Sequence, residues 1–237
     1  MAHAGWWDPV APLLFPRLRV LALDWRGHGR SAWPRPPAYR NEDFAADLYG
    51  VIERLGLTNA VVAGHSMGGH AALAFAAWHR AHLARLVVLD ARPHASPRRS
   101  RATPGRATRP PVLFPTRAAA VARFRLRPPE TIAPPALLRA VARGGIRHAG
   151  SGRWVYRFDP AYERTRAPVD AWPLLPRITA PTLVIRGEHS TILPHDLASQ
   201  MAKAIPDASI AEIPAAYHHV TLDAPGRVAQ AILAWLD

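Results

Sequence analysis

The run Gly64-His65-Ser66-Met67-Gly68 sets a serine between a short apolar stretch, Ala60–Gly64, and a small-residue stretch of helical character reaching about Trp78. A strand that turns straight into a helix bends sharply at the serine, and bulky neighbours would collide there. Gly64 and Gly68 relieve that crowding, and Gly69 extends the slim path. The bend lifts the Ser66 hydroxyl clear of the strand ends. It also leaves the Met67 N–H at a helix start, facing any negative charge that develops on a substrate oxygen. Such atoms suit nucleophilic attack on an acyl carbonyl, with the Met67 N–H as an oxyanion donor.

Holding a serine this way requires a sheet covered by helices, and the chain carries that pattern. Short, nearly continuous apolar runs alternate with amphipathic segments, as in a parallel sheet buried on both faces. The predicted strands are Arg19–Asp24, Ala60–Gly64, Arg85–Leu89, Thr182–Ile185 and Ser209–Ile213. Asn41–Leu55 has Phe44, Leu48, Val51, Ile52 and Leu55 near a 3.6-residue period, which predicts a helix. Two more helices are predicted at about Pro194–Ala204 and Pro225–Leu236. Between Arg92 and about Pro176 the alternation stops. The stretch Arg92–Pro129 holds ten arginines and no acid, either a solvated face or an anion-attracting rim over a pocket. Helical stretches follow near Ala118–Phe124 and Pro134–Arg143. The expected division is a core of residues 1–91 and 177–237, with residues 92–176 inserted as a cap or lid.

Composition narrows the function. The 237 residues are 49% apolar, enough for a sizeable core in one domain. There is no cysteine, so disulfides, thiolate catalysis and cysteine-ligated zinc are excluded. The net charge of +13 comes almost wholly from arginine, Lys203 being the single lysine, which reads as compositional bias and not as a nucleic-acid surface. No apolar run approaches the roughly 18 residues of a membrane span, and the first residues lack the basic start and apolar stretch of a secretory signal. A cytoplasmic protein acting on a small molecule, with no membrane span and no nucleic acid, is the expectation. The histidines show no metal-ligand spacing, and neither a cofactor nor a metal is expected.

The turn around Ser66, the segment Asp24-Trp25-Arg26-Gly27-His28-Gly29-Arg30-Ser31, the run Pro181–Gly187 and the stretch Ile213–His219 together resemble the α/β-hydrolase family. The resemblance covers nearly the whole chain and is weakest over residues 92–176. It implies a serine esterase or lipase-like fold, in which Asp24–Ser31 is a structural turn beside the active site. It implies a base on the loop after the last strand, where His218 and His219 stand side by side. The family's Gly-x-Gly-His pattern, set against Ala215-Ala216-Tyr217-His218, selects His218. Most members carry the orienting aspartate shortly after the strand that ends here at Gly187, but that place is Thr191, which offers no charge. Some relatives carry the acid at the end of the strand after the nucleophile helix. Asp90 stands there, 24 residues beyond Ser66. Glu188 and Asp196 are the alternatives.

These placements imply a triad of Ser66, His218 and Asp90 that cleaves a small or medium carboxylic ester through an acyl-serine. The family's sheet normally starts with three strands ahead of Arg19–Asp24, and the third ends in a loop giving the second oxyanion N–H. Met1–Pro9 resembles the stretch just beyond that loop. The true start is therefore expected upstream, and the alternative is a truncated, weakly active or noncatalytic protein that binds a ligand or partner. Trp6 and Trp7 would line an acyl pocket or simply pack in the core.

Overall fold

A computed structural model describes residues 2–94, 110–167 and 170–237. Residues 95–109, which carry five of the ten arginines of the run Arg92–Pro129, therefore lie outside the described residues. The centre is a four-stranded parallel sheet in the order β1-β2-β5-β6. Its strands are β1 (Val61–His65), β2 (Arg85–Leu89), β5 (Thr182–Gly187) and β6 (Ala208–Ile213). A parallel pair needs a crossover. The helix Met67–Trp78, α2, joins β1 to β2, and α6 (His195–Ala204) joins β5 to β6. Asn41–Arg54, α1, packs against α2. The last helix is α8 (Pro225–Leu236), preceded by the single turn α7 (Val220–Asp223).

Side-chain alternation along the two inner strands builds two cores. Leu86, Val88 and Val184 face one side, with Ile52, Leu73, Phe75, Leu175 and Met201. Val87, Leu89, Leu183 and Ile185 face the other, with Val10, Leu14, Val228 and Ile232. Leu86 through Leu89 are fully buried. At about 1.5–3 kcal/mol for each large apolar side chain removed from water, these inner strands are the anchor of the fold.

The expected strand Arg19–Asp24 does not form. Residues 19–24 join no ladder, and among the described residues the sheet ends at β1. A strand exists only through its partner's N–H and C=O groups, and no neighbour pairs with this run. Leu21 is 50% exposed, and Ala63 in the middle of β1 is exposed as well. Elsewhere the expected elements appear with ends shifted by a few residues, as β1, β5 and β6 show.

The stretch from 110 to 176 holds α3 (Arg117–Arg123), α4 (Pro135–Gly144), the hairpin β3–β4 (Ile146–Gly150 and Arg153–Tyr156) and α5 (Ala161–Thr165). Sequence periodicity missed the hairpin because its strands are short and mostly polar outside Ile146, Trp154 and Val155. Its far end grips the Asp24–Ser31 turn: Gly29 N–H donates to the Arg157 carbonyl at 3.0 Å and Asp159 N–H to the Gly27 carbonyl at 2.8 Å. His28 rests edge-on against Phe158 and Tyr162. Asp24 ties the same turn to the N-terminal segment, accepting from Ala4 N–H at 2.6 Å and Arg30 N–H at 2.8 Å. None of the described helices is long and apolar enough to cross a membrane.

Candidate active site

β1 ends at His65, and the chain reverses at once into α2. Ser66, between them, has φ 53° and ψ −114°, a backbone state that costs a non-glycine residue on the order of 1–3 kcal/mol. Ser66 N–H donates to the Leu89 carbonyl at 3.0 Å, which holds the bend against β2. The glycine at 64 is dictated by contact, since a Cβ there would lie 2.3 Å from the Gly68 carbonyl oxygen. Met67 opens α2, so its N–H belongs to the first turn, where helical N–H groups lack intrahelical acceptors.

Asp90 follows β2 directly. Because Leu89 pairs with Ile185 in the ladder, the next residue arrives beside the end of β5. Asp90 N–H donates to the Ile185 carbonyl at 2.7 Å. Its carboxylate, fully buried, accepts from Gly187 N–H at 2.8 Å and from the Ser190 hydroxyl at 2.6 Å. The Ser190 oxygen accepts in turn from Ile192 N–H at 3.1 Å and Leu193 N–H at 3.3 Å. Burial pushes the Asp90 carboxyl up to about 6, and the bonds from Ser190 and Gly187 oppose that rise.

The loop after β6 brings the imidazole. A Cβ on Gly187 would lie 2.3 Å from the Tyr217 carbonyl oxygen, so glycine is what lets this loop close over the end of β5. His218 is buried, with Nδ1 2.8 Å from Asp90 Oδ1 and Nε2 3.1 Å from Ser66 Oγ. One hydrogen-bonded chain thus links hydroxyl, imidazole and carboxylate from three separate strand ends. The arrangement can pass a proton from Ser66 to His218 while Asp90 faces the imidazolium that results.

Glu188 and Asp196 lie elsewhere. Glu188 is exposed and accepts from Ala215 N–H at 2.7 Å, and Asp196 is exposed in the first turn of α6. Thr191 is exposed too. The stretch Gly187–Leu193 serves the site through the hydrogen bonds of Gly187 and Ser190 to Asp90, while its carboxylate, Glu188, faces Ala215.

His219 is engaged elsewhere. Its Nε2 donates to the Pro128 carbonyl at 2.8 Å, and Trp6 meets its ring edge-on at 5.6 Å. Burial lowers its pKa. Sequence reading gave His65 no part, yet its Nε2 donates to the His218 carbonyl at 2.7 Å. Burial, with the charges of His218 and His219 adding to it, holds His65 down at about 3, so it stays neutral. The signal was present: a polar residue at the end of a buried strand must find a partner.

A cavity of about 680 Å³ lies between α3 and α4, lined by Val121, Leu126, Leu138, Arg117, Arg139 and Arg143. Ser66, His218 and Asp90 do not line it.

A sequence profile described as the alpha/beta hydrolase family matches residues 1–231. The chain belongs to that family. Among its relatives is a 2-(acetamidomethylene)succinate hydrolase of Mesorhizobium japonicum, 27% identical over all of this chain and 84% of that protein. The crystal structure of E-2-(acetamidomethylene)succinate hydrolase superposes with a TM-score of 0.84 at 26% identity, covering 100% of this chain and 88% of the other. A thermophilic esterase from Thermogutta terrifontis, with malate bound, superposes at 0.73 and 28% identity, covering 99% and 85%. Family membership and these likenesses support hydrolase activity for the chain.

Proposed function

We propose that this hydrolase is a serine enzyme that cleaves a small or medium carboxylic ester through an acyl-serine, with Ser66, His218 and Asp90 as its catalytic triad. The single observation that carries the reading is the unbroken hydrogen-bonded chain from Ser66 Oγ through His218 to Asp90. In the first half-reaction His218 Nε2 takes the Ser66 proton as Oγ attacks the carbonyl carbon. The Met67 N–H donates to the oxygen that becomes negative. His218 then hands its proton to the leaving alcohol. In the second half-reaction His218 takes a proton from water as it attacks the acyl-serine, then returns that proton to Ser66 Oγ as the acid leaves. Throughout, Asp90 holds the tautomer with hydrogen on Nδ1 and stabilises the imidazolium.

The family supports the reaction class, and the relatives include both an esterase and a hydrolase of an acetamido compound. Residues 92–176 are proposed to act as a cap on the core formed by 1–91 and 177–237. The contacts that favour this are the bond from His219 to Pro128 and those of Thr131 and Ile132 to the Asp223 carboxylate, which tie the insertion to the histidine loop. The test is labelling by a fluorophosphonate probe, followed by a panel of p-nitrophenyl esters of increasing acyl length. Label on the wild type that disappears in Ser66→Ala, with ester turnover, supports the enzyme. An unlabelled, folded wild type refutes it and leaves a noncatalytic binder.

A further inference from the structure

The arginine excess is not shared evenly along the chain. Residues 92–166 carry 17 arginines and three acids, whereas the rest of the sequence has 13 cations against 14 acids. Outside that segment arginine finds carboxylate: Arg17, Arg26, Arg35, Arg40 and Arg186 each form an ion pair. Among the described residues no arginine between 117 and 166 does so, and the buried Asp159 carboxylate serves Arg35. Four of these uncompensated cations, Arg117, Arg125, Arg139 and Arg143, line the cavity of about 680 Å³ between α3 and α4, and no acid lines it. Arg117 donates to the Arg143 carbonyl at 3.2 Å, and Arg125 to the Ala122 and Phe124 carbonyls at 2.7 Å each. Those bonds satisfy donors and leave the positive charge standing. Apart from Thr131, the other lining residues are apolar. Val121 comes from a small cluster with Phe114 and Ile146, and Leu138 from another with Val141 and Leu222. The cavity thus joins the margins of two apolar clusters that do not merge.

We propose that this cavity binds a free single-chain carboxylate, its alkyl tail against Val121 and Leu138 and its head on the guanidinium groups of Arg139 and Arg143. These two arginines stand four residues apart on α4, which places them side by side on one helix face. Like charges at that spacing repel, and an anion between them relieves the repulsion. Guanidinium forks match a carboxylate in two-point hydrogen bonds. The apolar lining gains from a tail that displaces water, and the volume falls within the roughly 300–1,000 Å³ of small-molecule sites. A nucleic acid would match the charge and leave the apolar lining wet. None of Ser66, His218 and Asp90 lines the cavity, so the site stands apart from the serine-hydrolase reading.

Calorimetric titration of the full chain with octanoate and decanoate tests the site. One equivalent is expected to bind, tighter for decanoate by up to about fourfold for each added methylene. Acetate, which lacks the tail, and 1-octanol, which lacks the charge, are expected to bind at least about tenfold more weakly than octanoate. Joint Arg139→Gln and Arg143→Gln substitution raises the decanoate Kd about 10–100-fold, whereas Arg54→Gln, at an exposed arginine of α1, leaves it unchanged. Ala122→Trp, which fills the cavity from α3, abolishes binding. Decanoate is also an acid that an esterase could release, so an active-site mode must be told apart. A decanoate Kd indifferent to the Arg139 and Arg143 substitutions assigns the binding to another place and overturns the proposal. Octanol binding as tightly as octanoate overturns it too. Capture of phosphatidylglycerol vesicles without uptake of monomeric decanoate overturns it in favour of a membrane surface.

Discussion

The runs Leu86–Leu89 and Val20–Leu23 read alike on paper, short and apolar before an aspartate, yet they take opposite fates. The first is fully buried and paired on both sides, by β1 and β5, and delivers Asp90 to the site. The second joins no ladder, leaves Leu21 50% exposed, and ends in an Asp24 that ties Ala4 and Arg30 together. Apolar composition makes a strand possible. Only a neighbour with free backbone groups makes it one, and its side chains become anchors only when both faces are covered.

That contrast can be broken by substitution, beginning at the atoms the inner strands position. Ser66→Ala is expected to cut kcat by roughly 10⁶-fold, the scale seen when a triad serine is removed elsewhere, measured as initial ester hydrolysis. Asp90→Asn is expected to cut kcat by roughly 10⁴-fold with the fold intact, while Glu188→Gln and Asp196→Asn stay within a few-fold of wild type. Near-full activity in Asp90→Asn would show that the buried strand end carries no more chemistry than the exposed one.

Stability offers the sharpest test of the contrast itself. Leu89→Ala is expected to cost about 2–5 kcal/mol in urea unfolding, and Leu21→Ala no more than about 0.5 kcal/mol. Equal costs would mean that Leu21 packs against something in solution.

The smallest effects concern the tuning of Asp90. Its carboxyl, raised to about 6 by burial, must be ionised opposite the imidazolium. Activity is therefore expected to fall as pH drops through about 6, because protonation removes that negative charge. Ser190→Ala deletes a bond that favours the ionised form. It should move this acid limb of kcat/KM upward in pH and lower kcat about 10-fold, the worth of one charge-assisted hydrogen bond. A purely structural role for Ser190 would reduce activity without moving the limb.

Much of the site was legible before any coordinates. The glycines around Ser66 announce a bend that nothing larger tolerates, and the contact from the Gly64 position to the Gly68 carbonyl shows why. Asp90 could be singled out because it ends a run that must be buried. The loop after Gly187 was harder, since Ser190 serves Asp90 through a hydroxyl and no spacing rule marks such a bond. The pairing of His65 with the His218 carbonyl joins residues 153 apart, beyond the reach of any local pattern.

Local sterics and burial thus let the sequence by itself determine the sharp turn at Ser66, the inner strands and the short list of candidate bases and acids. Tertiary structure alone decided that residues 19–24 stay unpaired, that His218 and not His219 meets Ser66, and that ring nitrogens of His65, His218 and His219 come within 4.8 Å of one another. The physical reason is that periodicity and propensity act over a few residues. Partnership across a sheet end depends on which elements have free hydrogen-bonding groups and which loops can close over them.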